Sequence, residues 1–306
     1  MGQSRLPHDF ADRMKNSKTI PVLFIIAAAV MWGCIGVFVK RLTADGMTSA
    51  QITAVRCLVI SLLTLVVILA TDRNRLKIRL RDAGWFIANG LCSIYVFYTA
   101  YQSAIARTSM PTAVALLYTA PAFVLILSVI FFKEKLNGVK VLSVVLSIAG
   151  SALVSGIIGG LVFEIGGIGL GLLSGLGYAL YSIFSKVILK RYHPFTNLFY
   201  SFLTAAAAGL LTCDVPEMMS LFSASKGTLG TALLNGLITG FVSYMLYTVG
   251  LTKVKASRAA VYASVEPVVA TLIGVFVYSE ALALPGVTGI CMVIAAILVQ
   301  NLNSDK

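Results

Sequence analysis

Glu266 stands directly before Pro267 in a long apolar run, and it alone of the twelve acidic residues falls near the middle of such a run. A carboxylate in hydrocarbon is costly and ordinarily faces a cavity or a partner. The proline after it cannot donate a backbone hydrogen bond, which loosens the helix around the acid. Loosened helices at mid-membrane depth are where carriers often place their sites. Such a carboxylate can bind an ammonium group or take up and release a proton. The plainer alternative is a structural acid satisfied by a neighbouring tyrosine or arginine. Arg56 is the one cation inside an apolar run. It could hold a carboxylate through two hydrogen bonds. It also lies roughly 10–13 Å from the outer end of its helix at 1.5 Å per residue. That is within reach of snorkelling, which favours an interface position or pairing within the bundle.

Aromatic residues recur at helical spacing. Tyr98 and Tyr101 are three apart, as are Tyr244 and Tyr247, so each pair shares a face; Tyr95 continues the first stripe. With Asn89 and Asn235 they place polar tips in an apolar interior, where those tips need partners. Aromatic walls with a few hydroxyls suit an amphipathic organic solute, and can hold a cation. Trp32, Tyr118, Tyr178, Tyr181 and Tyr262 are weaker candidates of the same kind. Tyr192 and Tyr278 fit an interface belt better. Pro121 and Pro267 are candidate hinges. Lys40 and Glu280 end helices on one side of the membrane, and Lys186 and Glu134 end helices on the other. The first pair is a candidate outer gate and the second a candidate inner gate; the alternative is solvated end charges worth little.

These residues need helices to position them. The chain is 58% apolar and only 12% charged, with mean hydropathy +0.91. Long apolar stretches recur, so the bilayer is the solvent. At about 20 residues per span, ten helices are expected. They start near Ile20, Ser49, Ala83, Ser109, Val139, Gly166, Thr196, Thr228, Ser257 and Leu284. The glycine-dense stretch from Gly156 to Gly169 marks a linker.

An internal repeat runs through them at a constant offset of 146 residues. Asn-Gly-Leu at 89 returns at 235. Phe38 matches Phe184, Lys40 Lys186, Tyr98 Tyr244, Tyr101 Tyr247, Pro121 Pro267, Glu134 Glu280 and Leu136 Leu282. The fold expected is an all-α membrane protein of ten transmembrane helices in two inverted five-helix repeats. A polar tail occupies 1–18, the first repeat 19–159 and the second 160–306. Five spans per copy is an odd number, so the second copy must sit upside down relative to the first. Inverted repeats are a mark of secondary carriers.

Net charge is +12. With the N-terminus inside, 19 of the 24 Lys and Arg residues fall on the cytoplasmic side and four outside, with Arg56 in a span. This asymmetry is the positive-inside signature and places both termini in the cytoplasm of a plasma or inner membrane. The basic residues sit in short loops and form no stripe, which excludes nucleic acid as a partner. The five cysteines, Cys34, Cys57, Cys92, Cys213 and Cys291, show no CxxC spacing, so neither a disulfide framework nor a metal site is expected. No cofactor is expected. No GxSxG elbow, HExxH pair or Walker loop occurs, so the chain is not expected to be an enzyme.

The order of these features resembles the EamA-type members of the drug/metabolite transporter superfamily. The resemblance rests on Trp32-Gly33 and Lys40 in the first span, Arg56 in the second, and Pro121 with Glu134-Lys135-Leu136 in the fourth. It continues with Glu266-Pro267 and Glu280-Ala281-Leu282 in the ninth. The second copy departs from the pattern with Tyr178-Ala179 for Trp-Gly and Phe202 for Arg56. The resemblance implies two five-helix repeats and a midplane site among spans 1, 3, 4, 6, 8 and 9. It implies transport of a small organic metabolite, often an amino acid or a related compound, by alternating access, with export as one direction. Protons are a candidate second partner. A membrane sensor or scaffold and a channel are the competing readings. The sensor predicts an appended soluble domain, and the few in-span charges disfavour an ion pore.

Overall fold

The computed structural model describes residues 19–158 and 161–302; the polar tail, the Gly159–Gly160 junction and the last four residues lie outside that description. Among the described residues the chain is helical throughout. Its long helical runs are α1 (Thr19–Ala44), α2 (Ser49–Thr71), α3 (Ala83–Gly90, Leu91–Tyr95 and Val96–Arg107), α4 (Met110–Phe132) and α5 (Gly138–Val154). They continue as α6 (Ile165–Ile188), α7 (Pro194–Thr212), α8 (Lys226–Leu251), α9 (Ala256–Tyr278) and α10 (Leu284–Leu302). All of these except α3 and α5, eight in number, are both long and apolar enough to cross a bilayer. α5 is shorter, and α3 is diluted by polar and small residues.

Local chemistry sets the ends. Helix N-termini carry four orphan amides that side-chain oxygens satisfy. Thr48 and Gln51 form a reciprocal capping box on α2. Ser109 caps α4 with Pro111 in its first turn, Asn137 caps α5, and Glu164 accepts from the amides of Gly166 and Gly167 at the start of α6. A further short helix, Val215–Ala224, occupies what reads as a loop between α7 and α8. Asp214 caps it, and Gln51 of α2 donates to the Asp214 carbonyl and to Glu217, both at 3.0 Å.

The repeat is written into the backbone as well as the sequence. Starts of α1 and α6, of α4 and α9, and of α5 and α10 each lie 146 residues apart. α4 breaks at Tyr118–Thr119 and α9 at Ser264, the equivalent position. A widened π turn interrupts α3 at Leu91–Tyr95 and α8 at Gly236–Val242. Two non-glycine residues take the left-handed conformation, Lys133 at φ 52° and Ser279 at φ 55°, again equivalent. Each stops its helix, and the next amide turns back: Glu134 donates to Ser128 at 3.3 Å and Glu280 to Gly274 at 3.1 Å. One difference stands out: α1 is interrupted at Cys34, whereas α6 runs unbroken.

Equivalent helices pack against each other in opposite directions. α5 lies along α10, with Gly150 against the Gly289 carbonyl and Gly289 against Val154. Ser143 donates to Gln300 at 2.6 Å. Advancing along α5 from Ser143 to Val154 means retreating along α10 from Gln300 to Gly289, so the two are antiparallel. Ser143 and Gly289 are equivalent, as are Val154 and Gln300, so the contact from 143 to 300 is mirrored by that from 289 to 154. A two-fold axis perpendicular to these helices produces this pairing. Glycine permits the close approach: a Cβ on Gly150 would sit 2.8 Å from the Gly289 carbonyl oxygen, and one on Gly289 2.6 Å from that of Gly150. The main core gathers α1, α2, α6, α7 and α8 around Trp32, Tyr181, Phe202, Tyr244 and Tyr247.

Candidate functional site

The chemistry-bearing residues converge where the copies meet. Trp32 of α1 is ringed by residues of the second copy: Tyr244 at 5.0 Å, Tyr247 at 5.1 Å and Tyr178 at 6.2 Å between ring centroids. Tyr181 packs edge-on to Tyr244 at 5.1 Å. Tyr178, Tyr181, Ser182 and Ser185 follow one another at i, i+3, i+4 and i+7 of α6, which puts them on one face. Their hydroxyls are tied down. Tyr247 pairs with Ser182 and Tyr181 with Thr248, each at 2.7 Å. Phe97 and Ser93 of α3 complete the lining. The space left between these side chains is about 10 Å³, close to what one water needs. The aromatic site is therefore closed in this conformation.

Glu266 is the second residue of the second segment of α9 (Val265–Tyr278), just past the break at Ser264. Tyr178 donates its hydroxyl to the carboxylate at 3.1 Å, and the Tyr118 hydroxyl is a second neighbour of it. The side chain keeps some accessible surface. Pro267 and Pro121 occupy the first turns after the two breaks, where a proline costs no internal hydrogen bond.

Arg56 does not snorkel. It is 4% exposed and turns into the bundle. One Nη donates to the Tyr98 hydroxyl and the other to the Thr239 carbonyl at 2.6 Å. The guanidinium lies 5.6 Å from the Tyr98 ring and 5.8 Å from the Tyr244 ring. Thr239 belongs to the π turn of α8, a distortion frequent at functional sites. Desolvating a guanidinium costs several kcal/mol, so it takes buried acceptors in preference to hydrocarbon. A chain of contacts therefore runs from Arg56 through Tyr244, Trp32 and Tyr178 to Glu266. A cation from the first copy and a carboxylate from the second stand at its ends. Along it, two buried donors lack a protein acceptor, Trp32 Nε1 and Arg56 Nε. An unmade hydrogen bond at such a group costs about 1–3 kcal/mol.

Asn89 ties α3 to α7 and Asn235 braces a turn within α8; neither belongs to the aromatic lining. Asn89 donates to Ser201 at 2.9 Å and Asn197 at 3.1 Å, and accepts from Ser93 at 2.6 Å. Asn197 in turn donates to Ser185 at 2.9 Å. Asn235 accepts from Thr239 at 2.7 Å, which makes it a support for the carbonyl that receives Arg56. Tyr101 stacks on Phe97 at 6.3 Å.

The charged helix ends take partners other than each other. Glu134 pairs with Lys140 at 3.0 Å, with both side chains nearly buried, and accepts from Ser257 at 2.6 Å. Lys186, on α6, has no carboxylate within ion-pair distance among the described residues. Lys40 sits 3.7 Å from the centre of the Tyr278 ring, and Glu280 is exposed. Ser93, Phe97, Ser182, Asn197 and Lys140 are not singled out by sequence alone. The stripe on α6 would have revealed Ser182, and the four-residue step from Asn89 would have revealed Ser93.

All five cysteines are free. Among the described residues no cluster of His, Cys, Asp and Glu could hold a metal.

Two segments of the chain, residues 19–156 and 165–302, match the EamA-like transporter family. An uncharacterized transporter of Archaeoglobus fulgidus is 30% identical over 275 residues, covering 90% of this chain and 94% of that one. The uncharacterized transporter YwfM of Bacillus subtilis is 27% identical over 282 residues, covering 90% and 92%. A chain of known crystal structure superposes with a TM-score of 0.80 at 16% identity, covering 94% of this chain and 98% of that one. That last likeness speaks to the fold alone.

Proposed function

From the premise that the chain belongs to the EamA-like transporter family, and is a multi-pass membrane transporter and not an enzyme, we propose that it moves a small organic metabolite by alternating access. The substrate is an amino acid or related compound, with export as one direction such a carrier can run. α3 and α5 cross the bilayer with the other eight, giving ten spans in two inverted repeats, 19–159 and 160–306. The antiparallel contact of α5 with α10 supports the inversion. Both termini, with the 1–18 tail, lie in the cytoplasm of a plasma or inner membrane.

The observation that carries this reading is the line from Arg56 to Glu266 across the boundary of the repeats. Its aromatic walls suit an organic solute. The unpartnered donors of Trp32 and Arg56 favour a substrate with an acceptor such as a carboxylate, and Glu266 favours one with an ammonium group. Tyr98, Tyr101, Tyr118, Tyr178, Tyr244 and Tyr247 form the walls. The breaks before Pro121 and Pro267 act as hinges. The closed aromatic site corresponds to a state between openings. Lys40–Glu280 closes the outer side in the inward-open state and Lys186–Glu134 closes the inner side in the outward-open state, each pair forming when Lys40 leaves Tyr278 or Glu134 leaves Lys140. A Lys40→Glu defect rescued by Glu280→Lys supports the outer gate; no rescue removes it.

Uptake into proteoliposomes across a panel of amino acids and amines tests the proposal, wild type beside Glu266→Gln, with and without a pH gradient. The expected result is saturable uptake that the substitution abolishes. A loss confined to the gradient-driven part identifies Glu266 as a proton carrier. Undiminished uptake in the variant removes Glu266 from the mechanism.

A further inference from the structure

A second cavity, of about 590 Å³, opens far from the aromatic site. It lies between the α2–α3 connection of the first copy and the end of α6 in the second. Lys77, Arg79, Asp82, Arg191 and Tyr192 supply its polar groups. Three cations thus face one carboxylate, and that carboxylate is already engaged: Tyr192 donates to it at 2.7 Å and Arg191 at 3.2 Å. Lys77 and Arg79 make no ion pair within 4 Å among the described residues, and both are exposed. Arg191 remains 60% exposed despite its contact.

The cavity wall is fixed from below. The Tyr192 hydroxyl accepts from the Arg79 amide at 3.1 Å. Thr196 donates to the Arg75 carbonyl at 2.8 Å and Tyr200 to the Leu76 carbonyl at 2.7 Å. A connection held by this many side chains of the other copy presents its cations in one arrangement, which lowers the ordering cost of binding. Arg79 and Arg81 flank Leu80, which is 91% exposed, and Trp85 follows on the next turn with its ring partly exposed. An apolar tip between two arginines, with a tryptophan beside it, is the pattern of a membrane–water interface.

We infer that this cavity binds a phosphate ester at the cytoplasmic membrane surface, bridging the two repeats. Arginine and lysine recognise phosphate by charge-assisted hydrogen bonds, and basic pockets at this level take anionic head groups. A lipid head group and a soluble phosphate ester share this chemistry; Leu80 and Trp85 favour the lipid.

The test uses the purified full-length protein. Native mass spectrometry compares retention of dioleoylphosphatidylglycerol with dioleoylphosphatidylcholine. A parallel thermal-shift series uses glycerol 1-phosphate. Lys77→Gln/Arg79→Gln removes two exposed cations of the cavity while sparing every backbone hydrogen bond. Arg73→Gln/Lys253→Gln removes two basic residues elsewhere on the same side. The expected result is a preference for phosphatidylglycerol of about tenfold or more, lost in the first variant and kept in the second. Protection by glycerol 1-phosphate without lipid retention, also lost only in the first variant, upholds the site with a soluble ligand. Equal loss in both variants, or no preference and no protection in wild type, overturns the inference. Unchanged melting of both variants in phosphatidylcholine shows that folding is not the cause.

Discussion

In the first third of α2 the first repeat holds Arg56; at the equivalent point of α7 the second holds Phe202. After the break in α9 the second repeat holds Glu266; after the break in α4 the first holds Ala120. Both copies nonetheless keep the same break, the same π turn, the same left-handed stop and the same proline. Apart from the interruption of α1 at Cys34, these backbone irregularities occur in duplicate, while the two in-span charges occur singly. Two charges on each copy would place four ions in a low-dielectric interior, each costing several kcal/mol to desolvate. One of each sign, held by tyrosines, is the least costly way to give an asymmetric solute a polar contact at both ends. On the proposed mechanism, the duplicated irregularities serve motion and the differences between the copies serve recognition.

Making the copies alike is the strongest way to break this comparison. Phe202 is 1% exposed among apolar neighbours, so Phe202→Arg buries an unpaired charge and costs about 3–5 kcal/mol or more; the protein should fail to accumulate as a monodisperse species in detergent. Arg56→Gln should fold, yet lose transport by about a hundredfold, about 2.7 kcal/mol. Monodispersity and proteoliposome uptake read the two effects separately. Normal transport by Arg56→Gln would return Arg56 to a structural role.

The two helix-end acids give the next contrast. Glu134 is nearly buried against Lys140, whereas Glu280, its equivalent, is exposed and has glycine at 286 where Lys140 stands in the first copy. Lys140→Met leaves a buried carboxylate unpaired and should lower stability by about 3–5 kcal/mol. Glu280→Gln should change it by about 0.5 kcal/mol or less. Thermal unfolding in detergent distinguishes them, and similar shifts would show that the copies do not differ here.

The two-fold contact makes a symmetric prediction. Gly150→Ala and Gly289→Ala each drive a methyl group into a backbone carbonyl, and each should cost about 1–3 kcal/mol. A Cβ on Gly36 would meet nothing within 4 Å, so Gly36→Ala should stabilise its helix by about 0.8–1 kcal/mol. A large loss at one of the paired glycines and none at the other would argue against the antiparallel two-fold packing.

The smallest effect concerns the staple between copies. The Tyr192 hydrogen bond, with Arg191 beside it, holds the Asp82 carboxyl below the usual carboxylate range. A depressed folded pKa means the charged form is the one stabilised. The staple thus contributes fully at neutral pH and is lost as pH falls through about 4, the ordinary aspartate value, and below. The difference in melting temperature between wild type and Tyr192→Phe should shrink over that window. A difference that is constant with pH would assign the contact to packing alone.

Much of the helical plan is legible in the sequence because span length and apolarity depend on the bilayer more than on tertiary detail. Each expected start falls within a few residues of an observed one, and the expected linker at Gly156–Gly169 overruns the gap between α5 and α6, since Gly166, Gly167 and Gly169 already lie in α6. The short helix Val215–Ala224 is signalled too, by Asp214 as cap, Pro216 in the first turn and Glu217 after it, but its position between two spans reads as a loop. The π turns are not legible. A Cβ on Gly90 would collide with the Ser201 carbonyl oxygen and one on Gly236 would meet Val59 at 2.6 Å; these contacts belong to the partner helices. Of the two positions expected for Arg56, interface or pairing within the bundle, the structure shows the second; the distance from the helix end is readable in sequence, while the face it occupies is not. Asn89 departs from the cavity because its partners Asn197 and Ser201 lie more than a hundred residues away.

The central claim is that a transported solute enters the aromatic cluster between the repeats. The chain has two tryptophans, so Trp85→Phe leaves Trp32 as the sole indole, with its unpartnered N–H at the cluster. Titrating that variant with a solute that proteoliposomes take up should change the tryptophan emission saturably, and adding Glu266→Gln should abolish the change. Emission that stays constant while the same solute is still transported would contradict the claim.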